Sequence, residues 1–160
     1  MKTIFLNFAF GLLVVAGMSG CKDDEETPAD NNLVTYKVTL SGTNETPANA
    51  STATGSATFT YNKTTYILTG TVTFTGLTPT GAHIHKGASG VAGGVIFPLG
   101  TAPFTSPITF TSPALDATQQ ADLKNGLYYV NIHSASFPGG EIRGQLGAST
   151  SDGTGGGGGY

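Results

Sequence analysis

The feature that most constrains the fold of this chain is a strict alternation of apolar and polar residues in several short segments. In LVTYKVTL, which begins at Leu33, every second residue from Val34 to Leu40 is apolar, and threonine or lysine stands between them. Successive side chains of a β-strand point to opposite faces, so such a segment can bury one face and leave the other polar. The alternation therefore predicts strands that each cover one side of a core.

Turn residues divide the central part of the chain into short segments of this kind. The segments 56–62 and 66–76 form a predicted hairpin, with Tyr66, Leu68, Val72 and Phe74 pointing inward and Gly70 marking a bulge or a close backbone contact. Short strands at this spacing, with 24 glycines and only 11% charged residues, are typical of a β-sandwich or barrel. We predict eight strands, at residues 33–40, 56–62, 66–76, 81–86, 94–99, 107–111, 127–133 and 140–146.

One segment has the pattern of a short helix. Asp116 followed by Gln119 resembles a capping box, ATQQADLKN contains good helix formers, and Gly126 suits the left-handed end of a helix. Leu115 and Leu123 are expected to turn inward, so that the helix closes one end of the β-fold. The predicted fold class is all-β and antiparallel, with about eight strands and one short helix.

The beginning of the chain has the pattern of an export and anchoring segment. Residues 1–20 carry one lysine, an apolar run and then small residues, as a secretory signal peptide does. The ending MSGC resembles the processing motif of bacterial lipoproteins, in which the cysteine carries lipid. Cys21 is the only cysteine, so no internal disulfide can form. We expect residues 21–32 to be a lipidated cysteine with an acidic tether, and residues 148–160 to be a disordered, glycine-rich tail.

The distribution of charge bears on location and partners. The run CKDDEE after the signal-like segment resembles signals that send some Gram-negative lipoproteins to the outer face of the outer membrane. It also suits a solvated linker that is kept extended by like charges. Residues 33–147 carry five basic and four acidic residues, so they offer no basic surface for phosphates. We therefore expect an outer-membrane lipoprotein of the cell envelope, possible exposure at the cell surface, and no nucleic-acid partner.

The three histidines stand in two predicted strands. In AHIHK, His83 and His85 share one strand face while Ala82 and Ile84 can enter the core. In LYYVNIH, His133 lies on the face opposite to the core candidates. If these two strands are neighbours, about 4.8 Å apart, His133 completes a cluster of three imidazoles with an open coordination position. The alternative is that each histidine is an exposed strand residue or a polar cap hydrogen-bonded to a loop.

The chemistry of such a cluster indicates which ions it would select. Imidazole ligands favour copper, zinc or nickel over magnesium or calcium, and copper or zinc is the cofactor we expect. Glu141 is a candidate further ligand or, with Arg143, a group that orients a histidine. An ion pair between Glu141 and Arg143 is the alternative. No carboxylate pair or catalytic triad is evident in the sequence, so we assign no catalytic residue.

Two long segments resemble a known family. GAHIHKGASGVAGGVIFPL and the later LKNGLYYVNIHSASFPGGEIRGQL closely resemble the chordin (CHRD) domain, and the resemblance covers residues 33–147. It implies an extracytoplasmic β-sandwich of Greek-key, immunoglobulin-like or superoxide-dismutase-like type, without a settled activity for microbial members. In animals the domain occurs in chordin, an antagonist of bone morphogenetic proteins, whose growth-factor binding is attributed mainly to cysteine-rich modules that this sequence lacks.

The strand with His83 and His85 is also similar to that of copper-zinc superoxide dismutases, in which the matching residues would bind copper. This chain departs from those enzymes because it has no further histidine-rich zinc loop and no disulfide. The leading hypothesis is therefore a lipid-anchored, non-catalytic binding protein of the cell envelope. The alternatives are a metal-dependent redox or hydrolytic enzyme, and a structural or adhesive module that meets an extracellular protein partner.

Overall fold

The computed structural model describes residues 32–147, and these residues confirm the predicted all-β class with one short helix. A 3-10 turn spans Gly42–Asn44, and helix α1 spans Ala117–Lys124. The strands are β1 (Leu33–Ser41), β2 (Thr54–Asn62), β3 (Leu68–Thr75), β4 (Pro79–Lys86), β5 (Val95–Pro98), β6 (Ile108–Thr111), β7 (Tyr128–Ser134) and β8 (Ile142–Leu146).

All eight strands belong to one antiparallel sheet that curls on itself. Their order is β5-β4-β7-β8-β1-β2-β3-β6. The sheet is narrowest between β8 and β1, where only Ser41 and Arg143 are paired in register. Its two edge strands approach each other, because the rings of Phe97 in β5 and Phe110 in β6 have centroids 5.8 Å apart. The half β5-β4-β7-β8 therefore faces the half β1-β2-β3-β6 across the core, as in a sandwich.

The alternation seen in the sequence accounts for the composition of this core. Each strand contributes every second residue, and the largest buried side chains come from both halves of the sheet: Leu40, Phe59, Tyr61, Leu68, Ile84, Tyr128, Ile132, Ile142 and Leu146. Phe59 pairs across β2 and β3 with Gly70, and its ring lies where a side chain at position 70 would have to be. The mid-strand glycine thus marks a close contact, as predicted, and that contact is with an aromatic ring.

The helix has the predicted caps. The side chain of Asp116 accepts a hydrogen bond from the backbone of Gln119, and the Gln119 side chain accepts one from the backbone of Asp116. Gly126 has a φ of 67° just after the helix. Leu115 and Leu123 are buried, as expected. The helix therefore covers one end of the curled sheet.

Two predicted strands, 66–76 and 140–146, each begin two residues before the observed strands β3 and β8. Tyr66, expected to point inward, is 44% exposed and has a φ of 60°. The cause is the preceding turn, in which the side chain of Asn62 accepts hydrogen bonds from the backbone of Thr64 and Thr65. This turn extends through Tyr66, whose backbone N–H donates to the carbonyl of Asn62, so β3 begins at Leu68.

The predicted signal peptide, the lipidated Cys21 with its acidic tether, and the glycine-rich tail lie outside the described residues. Within residues 32–147, no helix combines the length and apolar character needed to cross a bilayer.

Candidate metal centre

The structure confirms that the two histidine-bearing strands are neighbours. Strands β4 and β7 pair antiparallel, with Gly81 opposite His133 and His83 opposite Asn131. Ala82 and Ile84, between and beside the histidines of β4, are fully buried in the core. Because side chains alternate along a strand, the three imidazoles all lie on the other face of the sheet.

The three imidazoles form a compact cluster. Their ring centroids are 5.6 Å apart for His83 and His85, 5.1 Å for His83 and His133, and 5.7 Å for His85 and His133. One ring nitrogen from each residue lies within 4.8 Å of the other two. Ligand nitrogens about 2.0 to 2.1 Å from one ion are closer to each other than this, so small ring rotations are needed to bring all three onto a metal.

Hydrogen bonds to loop carbonyls orient two of the rings. Nδ1 of His85 lies 3.0 Å from the carbonyl oxygen of Gly93, and Nδ1 of His133 lies 3.0 Å from that of Pro138. A carbonyl can only accept a hydrogen bond, so each Nδ1 must carry the proton. In the neutral ring this leaves the lone pair on Nε2, the arrangement by which second-shell carbonyls prepare histidines for metal ligation.

Each ring retains one buried nitrogen that has no hydrogen-bond partner among residues 32–147. These atoms are Nδ1 of His83, Nε2 of His85 and Nε2 of His133. A buried polar atom left without a hydrogen bond costs about 1 to 3 kcal/mol, and here three such atoms occur in one cluster. The role of a polar cap explains the Nδ1 atoms of His85 and His133, but it leaves the three unpaired nitrogens unexplained. A bound cation is the ligand that would satisfy all three lone pairs together.

The electrostatic environment keeps the imidazoles neutral. Burial is the main cause that lowers the pKa of each histidine below its usual value of 6.5. The neighbouring histidines lower the pKa of His83 further. The carbonyls of Gly93 and Pro138 oppose the effect for His85 and His133. The rings are therefore unprotonated at neutral pH, as metal ligation requires.

The face that carries the histidines is covered by a loop. In the segment from Gly87 to Gly94, the backbone N–H of Gly93 donates to the hydroxyl of Tyr129 at 2.9 Å. The side chain of Gln145 donates to the carbonyl of Gly87 at 2.8 Å. His85 is only 7% exposed, whereas His83 and His133 are half-buried. His85 is thus not the exposed strand residue of the alternative interpretation, whereas parts of the His83 and His133 residues remain in contact with solvent.

Arg143 contacts the cluster indirectly. Its guanidinium carbon lies 3.4 Å from the centre of the Tyr129 ring, and Tyr129 in turn stacks on His85 with centroids 5.0 Å apart and an interplanar angle of 11°. The same guanidinium donates to the carbonyls of Ala88 and Val91, each at 3.0 Å. Arg143 therefore binds the covering loop and is separated from the candidate ligand His85 by one aromatic ring, that of Tyr129.

Glu141 does not join the cluster. Its carboxylate accepts a hydrogen bond of 2.6 Å from the hydroxyl of Ser51, and the group of candidate ligands consists of the three histidines. The alternative, an ion pair with Arg143, is wrong. Within residues 32–147 the one ion pair joins Lys86 and Asp122, at 2.6 Å. Glu141 lies just before β8, and its carboxylate is held by Ser51 instead.

A second carboxyl, which sequence reasoning missed, lies near this face. Glu45 is 9% exposed and its Oε1 has no hydrogen-bond partner. Burial raises the pKa of Glu45, while the backbone of Thr46, the charge of Arg143 and the Asn131 amide oppose that shift. A Cβ on Gly140 would lie 2.6 Å from this Oε1, so only glycine leaves room for the carboxyl. Glu45 belongs to a turn-rich connection without strand alternation, and no sequence signal pointed to it.

Comparison with known proteins supports the resemblance noted in the sequence. The family model of the CHRD domain matches residues 36–146, which is most of the chain and nearly all of the described sheet. No curated protein and no solved structure matches the chain.

Proposed function

The chain belongs to the CHRD-domain family, and we propose that this member binds one copper or zinc ion through His83, His85 and His133. The observation that carries the proposal is the convergence of the three imidazoles through the pairing of β4 with β7, where each ring keeps one buried nitrogen without a hydrogen-bond partner among the described residues. Imidazole is a good ligand for copper and zinc and a poor one for magnesium or calcium, which prefer oxygen. With three protein ligands, one coordination position is left for water or a small molecule.

A calorimetric titration tests the proposal. The full chain, purified in detergent without a histidine tag, is titrated with Zn²⁺ and with Cu²⁺. We expect one ion per chain and no comparable binding in a variant with all three histidines changed to alanine. Equal binding by that variant would remove the cluster from consideration, because other surface groups would then account for the metal.

The pH dependence of metal binding follows from the pKa shifts. Since burial lowers the pKa of all three imidazoles below 6.5, protons compete with the metal only in acid. We expect the affinity for Zn²⁺ to stay level down to about pH 6.5 and to fall as the pH drops further. Titrations in a series of buffers between about pH 4.5 and 7.5 measure this profile. A fall that begins well above pH 6.5 would show that the ligands are not these histidines.

The same shifts affect the stability of the metal-free protein. Below about pH 6.5 the unfolded chain binds protons at these histidines that the folded chain does not, so stability is lost as the pH falls through that range. The triple alanine variant lacks these protonation sites and should lose less stability over the same range. It is therefore the control that shows whether the three histidines cause the loss of stability in acid.

For the location of the protein, we propose that Cys21 carries lipid and anchors the chain at the outer membrane, where the domain acts as a non-catalytic binding protein of the cell envelope. Support comes from the apolar run, the small residues before Cys21 and the acidic segment after it. Changing Cys21 to serine is expected to move the chain from the membrane fraction to the soluble fraction. Met18→Leu, which keeps the processing motif, is the matched control. Membrane retention of Cys21→Ser would contradict the anchor.

A metal-dependent enzyme is the second candidate. The observation that favours it is the half-buried state of His83 and His133, which leaves part of both residues in contact with solvent. Catalytic metal sites characteristically combine three protein ligands with an open position. The rate of oxygen consumption in the presence of a reductant can be compared between the copper-loaded chain and the triple alanine variant with the same amount of copper. A higher rate for the chain with the three histidines would favour the enzyme over the binding protein.

A further inference from the structure

A buried positive charge lies close to the histidine cluster. Arg143 is 2% exposed, and its guanidinium packs against one face of the Tyr129 ring, which stacks on His85. The interaction of a cation with an aromatic face stabilises the arrangement. The guanidinium of Arg143, the phenol ring of Tyr129 and the imidazole of His85 therefore form one continuous stack. The fixed positive charge lies at one end of this stack, and the candidate ligand His85 lies at the other.

Within residues 32–147 no ion pair neutralises this charge. The hydrogen-bond partners of the guanidinium are neutral: the carbonyls of Ala88 and Val91, the hydroxyl of Thr46 and the side-chain carbonyl of Gln145. The only ion pair within the described part of the chain is elsewhere, between Lys86 and Asp122. Glu45 is the nearby carboxyl; burial raises its pKa, and the charge of Arg143 opposes that shift. Because no carboxylate of the described residues forms an ion pair with Arg143, its positive charge acts on the neighbouring groups.

The candidate ligands add no negative charge of their own. All three are imidazoles, which are neutral when they bind a metal, and the group contains no carboxylate. A divalent ion brings two positive charges next to the fixed charge of Arg143, whereas a monovalent ion brings one. Because the interaction energy of charges grows as the surroundings become less polar, this difference weighs more in a site covered by a loop than at an open surface.

The number of ligands that each ion prefers also favours a monovalent ion at this site. Zn²⁺ prefers four tetrahedral ligands, and Cu²⁺ prefers a tetragonal set of four or more. Three imidazoles therefore leave either divalent ion to take a further ligand from water or a small molecule. Cu⁺ carries one positive charge less, and its coordination can be complete with three ligands. From the neutral ligand set, the three available nitrogens and the uncompensated guanidinium, we infer that the site is selective for Cu⁺ and that Arg143, acting through Tyr129, favours Cu⁺ over Cu²⁺. This inference rests on the proposed metal-binding function.

Competition titrations test the selectivity. Under anaerobic conditions with a reductant, the full chain competes with bicinchoninate for Cu⁺, and its affinities for Zn²⁺ and Cu²⁺ are measured separately. We expect Cu⁺ to bind at least about 10-fold more tightly than Zn²⁺, the order of the effect of one fixed charge at this distance. Zn²⁺ binding as tight as that of Cu⁺ would overturn this inference and leave the proposed function standing. Absence of binding for every ion would overturn both.

Variants of Arg143 test the electrostatic part. Removing one charge roughly 10 Å away at an effective dielectric constant near 20 changes the Cu⁺ to Cu²⁺ affinity ratio by about 15-fold, or about 70 mV in reduction potential. We therefore expect Arg143→Met to lower the potential of the copper-loaded chain by about that amount. Arg143→Lys keeps the charge and is expected to retain most of the potential.

A third variant separates charge from structure. The Gln145 side chain donates to the carbonyls of Gly87 and Gly126, at 2.8 and 2.7 Å, so Gln145→Ala loosens the covering loop without changing any charge. We expect it to leave the potential unchanged. An unchanged potential in Arg143→Met, or an equal shift in Gln145→Ala, would show that Arg143 only holds the loop and would overturn its assigned role.

Discussion

Replacing any one of the three histidines by alanine is expected to lower the affinity for Zn²⁺ and for copper at least about 100-fold, because two imidazoles alone form a weak site. His85 should show the largest loss, since it is the most buried of the three and its ring is fixed by Gly93 and Tyr129. Calorimetry on each single variant measures the effect. Thr80→Ala, at an exposed position of the same strand β4, is the matched control and should bind as the unchanged protein does.

The metal-free stability of the same variants separates a metal site from a structural cap. Each histidine carries a buried nitrogen without a partner, and removing such an atom relieves a cost of about 1 to 3 kcal/mol that partly offsets the lost packing. We therefore expect only small losses of stability without metal, together with large losses of affinity. The opposite result, large destabilisation with unchanged affinity, would make the histidines structural residues of the sheet.

Phe59→Ala is expected to lower the free energy of unfolding by about 3 to 5 kcal/mol, the range observed when a large buried aromatic side chain is truncated. Phe59 is fully buried, its ring occupies the space above Gly70, and its centroid lies 6.3 Å from that of Phe110 in an edge-to-face contact. Phe110 also contacts Phe97 of the opposite edge strand. Loss of the Phe59 ring therefore weakens the contact between the two edges of the curled sheet.

Chemical denaturation measures this change, with Thr58→Ala as the control. Thr58 is the exposed neighbour of Phe59 on β2, and its replacement should alter stability by no more than about 0.5 kcal/mol. A loss in Phe59→Ala no larger than in Thr58→Ala would show that the aromatic cluster does not hold the sheet edges together.

The fold was largely predictable because one simple rule governs most of it. Period-two alternation, together with short apolar runs between turn residues, identified all eight strands, and the capping residues identified the helix, since these are local consequences of backbone geometry. The rule failed at Tyr66, where the side chain of Asn62 stabilises a turn that interrupts the strand pattern. The continuity of the sheet from β5 to β6 was not predictable, because strand order depends on contacts between residues far apart in the sequence.

The candidate site was predictable only in part. Strand alternation placed His83, His85 and His133 on matching faces, but their convergence required the pairing of β4 with β7, which the sequence does not contain as a local signal. The hydrogen bonds of Nδ1 to the carbonyls of Gly93 and Pro138 arise from loops, whose paths follow no periodic rule. For the same reason the stack of Arg143 on Tyr129 and the burial of Glu45 became evident only in the structure.

X-ray absorption at the copper K edge of the copper-loaded chain tests the central claim most directly, because it reports the ligands of the ion itself. We predict one copper ion per chain with three imidazole nitrogens at about 2.0 Å in its first shell. In His133→Ala the number of imidazoles should fall. A first shell of oxygen atoms or of fewer than three imidazoles, or an identical spectrum for His133→Ala, would contradict the assignment of the three histidines as the metal site.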